Sequence, residues 1–489
     1  MKKLITIISL LFIIQSIQAQ SHFDALLLSK TANYGSSRYM AMGGAFTALG
    51  GDLTVLSTNP AGMSIYRKGE LGFTPALYNS ETKSVFNGNS MLDNKYSFNM
   101  NNMGIVASFS DEDFGGWRGL AFGFAYNRLA DFNENVIIEG PNSTGSMLDY
   151  WMLNSDGLMP DQLNSFGEFL AWDNYLLDTL SGTNLLYTNP HQWNSTVYEQ
   201  TQRKVINRKG GAGSYDFAFS ANFKDIIYIG TSLGVQSIRY IENSTYTEID
   251  LPDNVDYSSF DYQEHLKAEG AGLNFKLGFI IRPVSFIRIG ASIHTPTFYA
   301  INEKYYSSLA SVWDEPDFNG YTSYESISPN NEYDYELTTP LKSQIGAAII
   351  IPRFGLVSID YEFVDYSKIR MRADDYDYFD ENNAITRQFN KTSNIRLGAE
   401  FVMGPISLRG GYALFGNPYT PEANRIDALT SQVSGGLGLK SENLYVDMAF
   451  IYALNKDNYD FYYPVNTGET VPQIDRTMSS ILITFGVKF

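Results

Sequence analysis

The chain ends on SSILITFGVKF, Ser479 to Phe489. In an extended strand Ile481, Ile483, Phe485, Val487 and Phe489 share one face, while Ser480, Leu482, Thr484, Gly486 and Lys488 share the other. The first face is wholly apolar and the second is mostly small or polar. The pattern recurs upstream. Leu444, Val446, Met448, Phe450 and Tyr452 oppose Tyr445, Asp447, Ala449 and Ile451, and Ile395, Leu397, Ala399 and Phe401 oppose Arg396, Gly398 and Glu400.

Fourteen such segments are predicted, near 69–80, 95–109, 117–138, 212–223, 226–249, 264–281, 285–304, 333–351, 354–371, 387–403, 406–415, 428–440, 443–459 and 474–489. Joins from even to odd segments are tight, as at Lys224-Asp225, Pro352 to Phe354 and Gly404-Pro405. Joins from odd to even segments are long and polar, as at 139–211, 305–332, 372–386 and 416–427. A soluble sandwich has no reason to gather its short turns at one end. A transmembrane β-barrel has short periplasmic turns, long extracellular loops and an even strand count. The expected fold is therefore all-β, a 14-stranded antiparallel transmembrane barrel of the outer membrane, with Phe489 at its periplasmic edge.

The chain begins with a basic pair, Lys2 and Lys3, an apolar run from Leu4 to Ile14 and a small-residue exit at Ala19, which predicts a secretory signal peptide over 1–19. Elsewhere no run of about 18 apolar residues occurs, which excludes a helical membrane protein. Cysteine is absent, so disulfides and cysteine-ligated metals are excluded. Four histidines give metal or acid–base chemistry little to work with, and a net charge of −18 argues against nucleic acid as a partner. No cofactor, metal site or catalytic residue is expected; His294 lies two residues from Ser292, without the orienting group a nucleophile needs.

If the apolar faces meet lipid, the opposite faces line a lumen. These carry Lys276, Arg288, His294, Lys342, Asp360, Glu362, Arg396, Glu400, Arg409 and Asp447. Two readings stay open for them: a structural network of paired charges, or a path that guides a substrate carboxylate. Fourteen strands enclose more space than side chains fill, so a plug is expected from residues 20–67, with the barrel over 68–489. Within that region AMGGAFTALGGDLTVLSTNPAGMSIY, Ala41 to Tyr66, carries a single charge and five glycines. Such a peptide can approach barrel walls closely without burying unpaired charge. It lacks the G-K-[ST] ending of a phosphate loop.

The run from Arg38 to Ala48, the Asn59-Pro60-Ala61-Gly62 turn, IRIGASIHTP at 287–296 and IRLGAEFVMGPISLRGGYA at 395–413 together resemble the FadL-type outer-membrane transporters of long-chain fatty acids and other hydrocarbons. The resemblance implies passive uptake of a hydrophobic small molecule, collected among extracellular loops. A shift of an N-terminal hatch then releases it sideways into outer-membrane lipid beside a kinked third strand. Onto this chain it carries Asn59, Pro60, Ala61 and Gly62 as the hatch motif. In the third segment Gly119 and Gly123 are candidates for the kink, because glycine weakens strand pairing. In the long loop, 160–180 reads as an amphipathic helix. Trp151, Met152, Phe166, Phe169, Trp172 and Leu176 are candidates for the ligand groove. The loops are acidic and tyrosine-rich, with few cations for a fatty-acid carboxylate. Relatives of the family also include an accessory component of type IX secretion, so a barrel that docks protein partners is the alternative function.

Overall fold

The computed structural model describes residues 21–489 apart from 110–114, 143, 181, 183–184, 194–197, 251–254, 424, 426–427 and 462–470. The signal peptide expected over 1–19 lies outside the described residues. Fourteen antiparallel strand positions close into one barrel, the last strand, Gln473–Lys488, pairing with the first, Glu70–Phe86, from Glu70↔Lys488 to Val85↔Gln473. Phe489 donates its backbone N–H to Gly69 at 3.0 Å, so the terminal aromatic seals the seam at the tight-turn end.

The alternation read from the sequence becomes the two surfaces of the wall. On the sixth strand, Tyr257–Val284, Leu273, Phe275, Leu277 and Phe279 are exposed outward. On the same face, towards the long-loop end, the outward residues become Glu269, Lys267 and His265. The fifth strand, Ile227–Ile249, makes the same change from Leu233 and Val235 to Arg239. An apolar belt with a charged upper edge is the surface of a barrel that spans a membrane. No helix among the described residues is long and apolar enough to cross one.

Several strands outrun their expected bounds at the extracellular end. The first continues to Phe86 and the second, Asn89–Phe109, begins at once, so their join is a two-residue turn and not a long loop. Asn87 and Gly88 both take positive φ, 46° and 85°, which suits the right-handed twist of a hairpin. The fourth strand, Gln200–Phe223, likewise starts twelve residues before the expected 212. Strands seven and eight are each interrupted, at Pro296 between Ile287–His294 and Phe298–Trp313 and at Pro340 between Asn331–Thr338 and Lys342–Ile351. Proline removes a ladder donor at both breaks.

Lipid-facing position dictates one outcome. Leu277→Arg, on the exposed belt, is expected to cost about 2–4 kcal/mol in denaturant unfolding from detergent, whereas Leu444→Arg at the periplasmic edge is expected to cost about 0–1 kcal/mol. Equal costs would contradict the belt.

Candidate functional site

Residues 21–66 lie inside the barrel. Ser21 caps the helix His22–Ser29 near the extracellular mouth, with Asp24 returning the capping-box bond. The chain then descends through Lys30 to Gly35, and residues 36–66 pack as short turns at the periplasmic end around Phe46, Leu49, Leu53 and Leu56, all buried. The seat depends on inward-facing glycines. A Cβ at Gly278 would stand 2.0 Å from Asn59 Oδ1, at Gly290 2.1 Å from the Thr47 carbonyl oxygen, and at Gly411 2.1 Å from the Gly43 nitrogen. Gly230, the register partner of Gly278, meets Pro60 and Ala61 in the same way.

Asn59 is the pin of the lower turn. Its Oδ1 accepts from Ala61 N–H at 3.2 Å and its Nδ2 donates to the Thr47 carbonyl at 2.6 Å. Pro60 opens the 3-10 turn Pro60–Ile65, and Gly62 packs its backbone against Gly50. Wall charges complete the attachment. Arg38 pairs with Glu400 at 2.7 Å, and Glu400 also takes Arg409 at 2.8 Å, which reaches Asp447 at 2.6 Å. Asp360 accepts from Thr47 N–H at 2.8 Å, Arg288 donates to the Leu49 carbonyl at 2.6 Å, and Glu362 pairs with Arg396 at 2.9 Å. Buried charges with partners of this geometry avoid the cost of an isolated ion.

Gly123 lies in an unshifted stretch of the third strand's ladder, and Gly119 stands at a register shift just after Trp117. Both stand in the ladder of Trp117–Asp131, opposite Asn222 and Ala218, and a Cβ at Gly123 would meet Leu56 and Met63 of the N-terminal segment. The departure comes later, at Phe132-Asn133, after a register shift between Arg128 and Ala130. Below it strand three pairs with strand two over Asn102–Phe109. Above it Glu134–Asn142 stays paired with strand four but turns across the inner face of the first hairpin, where Thr82 Oγ1 donates to the Asn135 carbonyl at 2.7 Å. Residues 89–100 of strand two keep strand one as their ladder partner and have none on the other edge among the described residues. Side chains bridge this seam. Asp131 accepts from Ser97 at 3.1 Å and Asn99 at 2.8 Å, and Lys95 donates to the Arg208 carbonyl at 2.6 Å.

Two cavities lie above the plugged end. The inner one, about 290 Å³, has Lys30 to Tyr34 along its lower side, Phe132 and Asn133 of the strand break at one flank, and Phe415, Ile451 and Met478 among its apolar walls. The outer one, about 670 Å³, lies among the loops against Phe23 and Leu27. Arg208, Tyr240 and Arg476 line both. Arg208 pairs with Glu134 at 2.8 Å and Glu242 at 2.7 Å, and Arg476 with Glu134 at 2.6 Å, so the boundary between the cavities is an ion-paired septum. Beside it, burial and the neighbouring Glu242 carboxylate push Asp24 up to about 7.

The expected helix over 160–180 does not form as one element. The stretch folds as a 3-10 turn, Pro160–Gln162, and a short helix, Glu168–Asp173, because Asn164 caps the backbone at Phe166 and Phe169, and Gly167 starts the second helix. Trp151 comes from a separate helix, Met147–Ser155, and packs edge-on to Tyr262; with Phe166 it lines the outer cavity. Leu176 is buried inside the loop cluster, and Met152, Phe169 and Trp172 are half-buried against it.

No family model matches the chain, and no curated protein does. Solved structures do. A FadL homologue from Pseudomonas aeruginosa is 11% identical with TM-score 0.53, covering 94% of this chain and 99% of its own. The toluene transporter TodX of P. putida is 11% identical with TM-score 0.52, covering 93% and 98%. The toluene transporter TbuX of Ralstonia pickettii is 14% identical with TM-score 0.51, over the same 93% and 98%. At these identities the likeness is one of fold, and it extends over nearly the whole length of both chains.

Two outcomes follow from the seat. Gly278→Val is expected to dislodge the lower turn and raise single-channel conductance in planar bilayers, with conductance unchanged if Gly278 touches nothing essential. Asp24 binds its proton more tightly folded than unfolded, so its contribution is full below the ordinary carboxylate range and is lost as pH rises through about 7. Amides of His22–Ser29 should accordingly exchange faster at pH 8.5 than at pH 5.5 after correction for intrinsic rates, and Asp24→Asn should remove the difference.

Proposed function

We propose that this protein is an outer-membrane channel for passive uptake of hydrophobic small molecules, long-chain fatty acids or similar hydrocarbons, with residues 20–67 as a movable hatch and the seam beside strand three as a lateral exit. The observation that carries the reading is the inner cavity: it is bounded below by Lys30 to Tyr34 and abuts Phe132-Asn133, just beyond Asn127, the last residue of strand three paired with strand two. A ligand collected among the loops, against Trp151 and Phe166, would cross the Arg208–Glu134–Arg476 septum and rest on the apolar walls of the inner cavity. It would leave past Asp131. The ammonium of Lys30, with no ion-pair partner among the described residues, would face any anionic end of such a ligand.

The fold of the neighbouring toluene transporters supports a route of this kind, since a barrel wall that opens towards hydrocarbon keeps an insoluble molecule out of water. No chemical step is needed. The septum sets the energetic difficulty: separating a buried ion pair without a replacement partner costs about 3–5 kcal/mol, so the arginines must stay paired, or exchange partners, as the ligand passes.

The chain has no cysteine, which makes the seam directly testable. In Asn99→Cys with Asp131→Cys, bridging the two thiols with a short reducible methanethiosulfonate cross-linker should cut uptake of a radiolabelled fatty acid or aromatic hydrocarbon about tenfold or more, with recovery on reduction. Undiminished uptake at full cross-linking would overturn the lateral exit.

A further inference from the structure

The lipid side of strands three and four carries three aromatic pairs in succession. Phe122 stands opposite Phe219, Phe124 opposite Phe217 and Tyr126 opposite Tyr215, with ring centroids 5.0, 4.9 and 5.2 Å apart. Phe122, Tyr215, Phe217 and Phe219 are exposed on the outer face. On the other strands the described belt holds one opposed pair of this kind, Phe73 and Phe485. Short side chains flank the lowest of the three pairs: Ala107 on strand two beside Phe122, and Thr231 on strand five beside Phe219. Tall rings between short neighbours leave a groove of about 550 Å³, which reaches Phe275 on strand six. Thr231 is the single polar side chain of its lining.

Two further observations point to an occupant. The ladder starts at the seam: Tyr126 precedes Asn127, the last residue of strand three paired with strand two, and Asn99 and Asp131 bridge the edge just above it. A molecule leaving there meets Tyr126 and Tyr215 first, and Phe122 and Phe219 about 13 Å lower. Acyl chains touch every lipid-facing side chain, but a ladder of rings favours a ring, since aromatic pairs gain from offset and edge-to-face contacts beyond their buried area. Successive rungs are two residues, about 7 Å, apart, which admits one flat ring in contact with a ring on either side. The second observation is polar. Thr231 Oγ1 is shielded and has no hydrogen-bond partner. At the depth of the hydrocarbon no water supplies one, and rotation about χ1 between staggered wells turns the hydroxyl into the groove.

We infer that this groove is a binding site for a flat aromatic ring carrying an oxygen acceptor, a phenol or an aryl ketone, held between the Phe122–Phe219 and Phe124–Phe217 rungs with its oxygen on the Thr231 hydroxyl. Its role rests on the uptake reading above: the groove receives such a ligand on the lipid side of the seam, which sets aromatic rings apart as the ligand class. Binding itself does not depend on the seam, because the groove opens to the membrane.

The test uses the full-length protein in phosphatidylcholine nanodiscs, with a tryptophan in the groove, Phe275→Trp, and one elsewhere on the exposed belt, Phe450→Trp, each read against the unaltered protein. Bromine quenches indole on contact, so ligand dissolved in lipid dims both positions alike, whereas binding in the groove dims Phe275→Trp first. Half-quenching of Phe275→Trp by 4-bromophenol should need about fivefold less ligand than that of Phe450→Trp, a factor that one aromatic pair or one hydrogen bond supplies. Adding Phe217→Leu and Phe219→Leu, which keeps the face apolar, should bring the two curves together. Thr231→Val should remove the advantage of 4-bromophenol over bromobenzene, each measured relative to the Phe450→Trp position. Equal quenching at the two positions overturns the site, and bromobenzene matching or exceeding 4-bromophenol in the groove with Thr231 intact overturns the oxygen acceptor. If uptake survives full cross-linking of the seam while the groove still binds, the lateral route falls and the site stands.

Discussion

The backbone of residues 41–62 touches the bare backbone of the barrel wall, and the rest of the molecule depends on that contact. Fourteen strands enclose a lumen too wide for wall side chains to fill. A second stretch of chain must occupy it, and its peptide groups must find partners. Gly278, Gly290 and Gly411 remove the Cβ atoms that would stand in the way, while Asp360 and Arg288 hydrogen-bond to the backbone of Thr47 and Leu49. Polar satisfaction and close packing are met by the same row of wall positions.

Strand three answers a different constraint. Up to Asn127 it bonds to both neighbours; beyond Asn133 it follows strand four inward and abandons strand two. An unpaired strand edge is a liability in any sheet. Here it is covered by side chains, Asp131, Ser97, Asn99 and Lys95, and not by a ladder. Side-chain bridges are weaker and more easily exchanged than a continuous ladder, which gives this stretch of wall a mechanical character unlike the remainder of the barrel.

The upper lumen is ordered by charge. Arg208 and Arg476 share Glu134 across the boundary of the two large cavities, and Arg425 extends the group towards Asp457 and Asp460. Arg425 also stacks over the Phe23 ring of the N-terminal helix at 4.6 Å. The loops, the helix and the wall therefore meet in one ion-paired layer, so motion of any one of them has to exchange bonds with the others.

Alternation with period two is a local property, and it alone placed the apolar belt, the fourteen strands and the side on which the tight turns gather, because a side chain's face follows from its position in the strand. The same sequence placed Arg396, Glu400, Arg409 and Asp447 on the inward face without saying which of them would pair. The Asn87-Gly88 pair carries a hairpin signal in its turn residues, weakened by the polar residues on both faces of the strands beside it. Other features depended on contacts between residues far apart in the chain. The departure of strand three from its neighbour comes at Phe132-Asn133, well beyond Gly119 and Gly123, since it is set by which neighbour keeps its hydrogen bonds. The stretch at 160–180 breaks at Gly167 because its apolar residues pack inward against the loop cluster and do not form a surface stripe. Sequence determined the wall, since burial in lipid repeats along every strand; only the tertiary structure decided the seam and the septum, since each is made by strands and segments that meet only when the barrel closes.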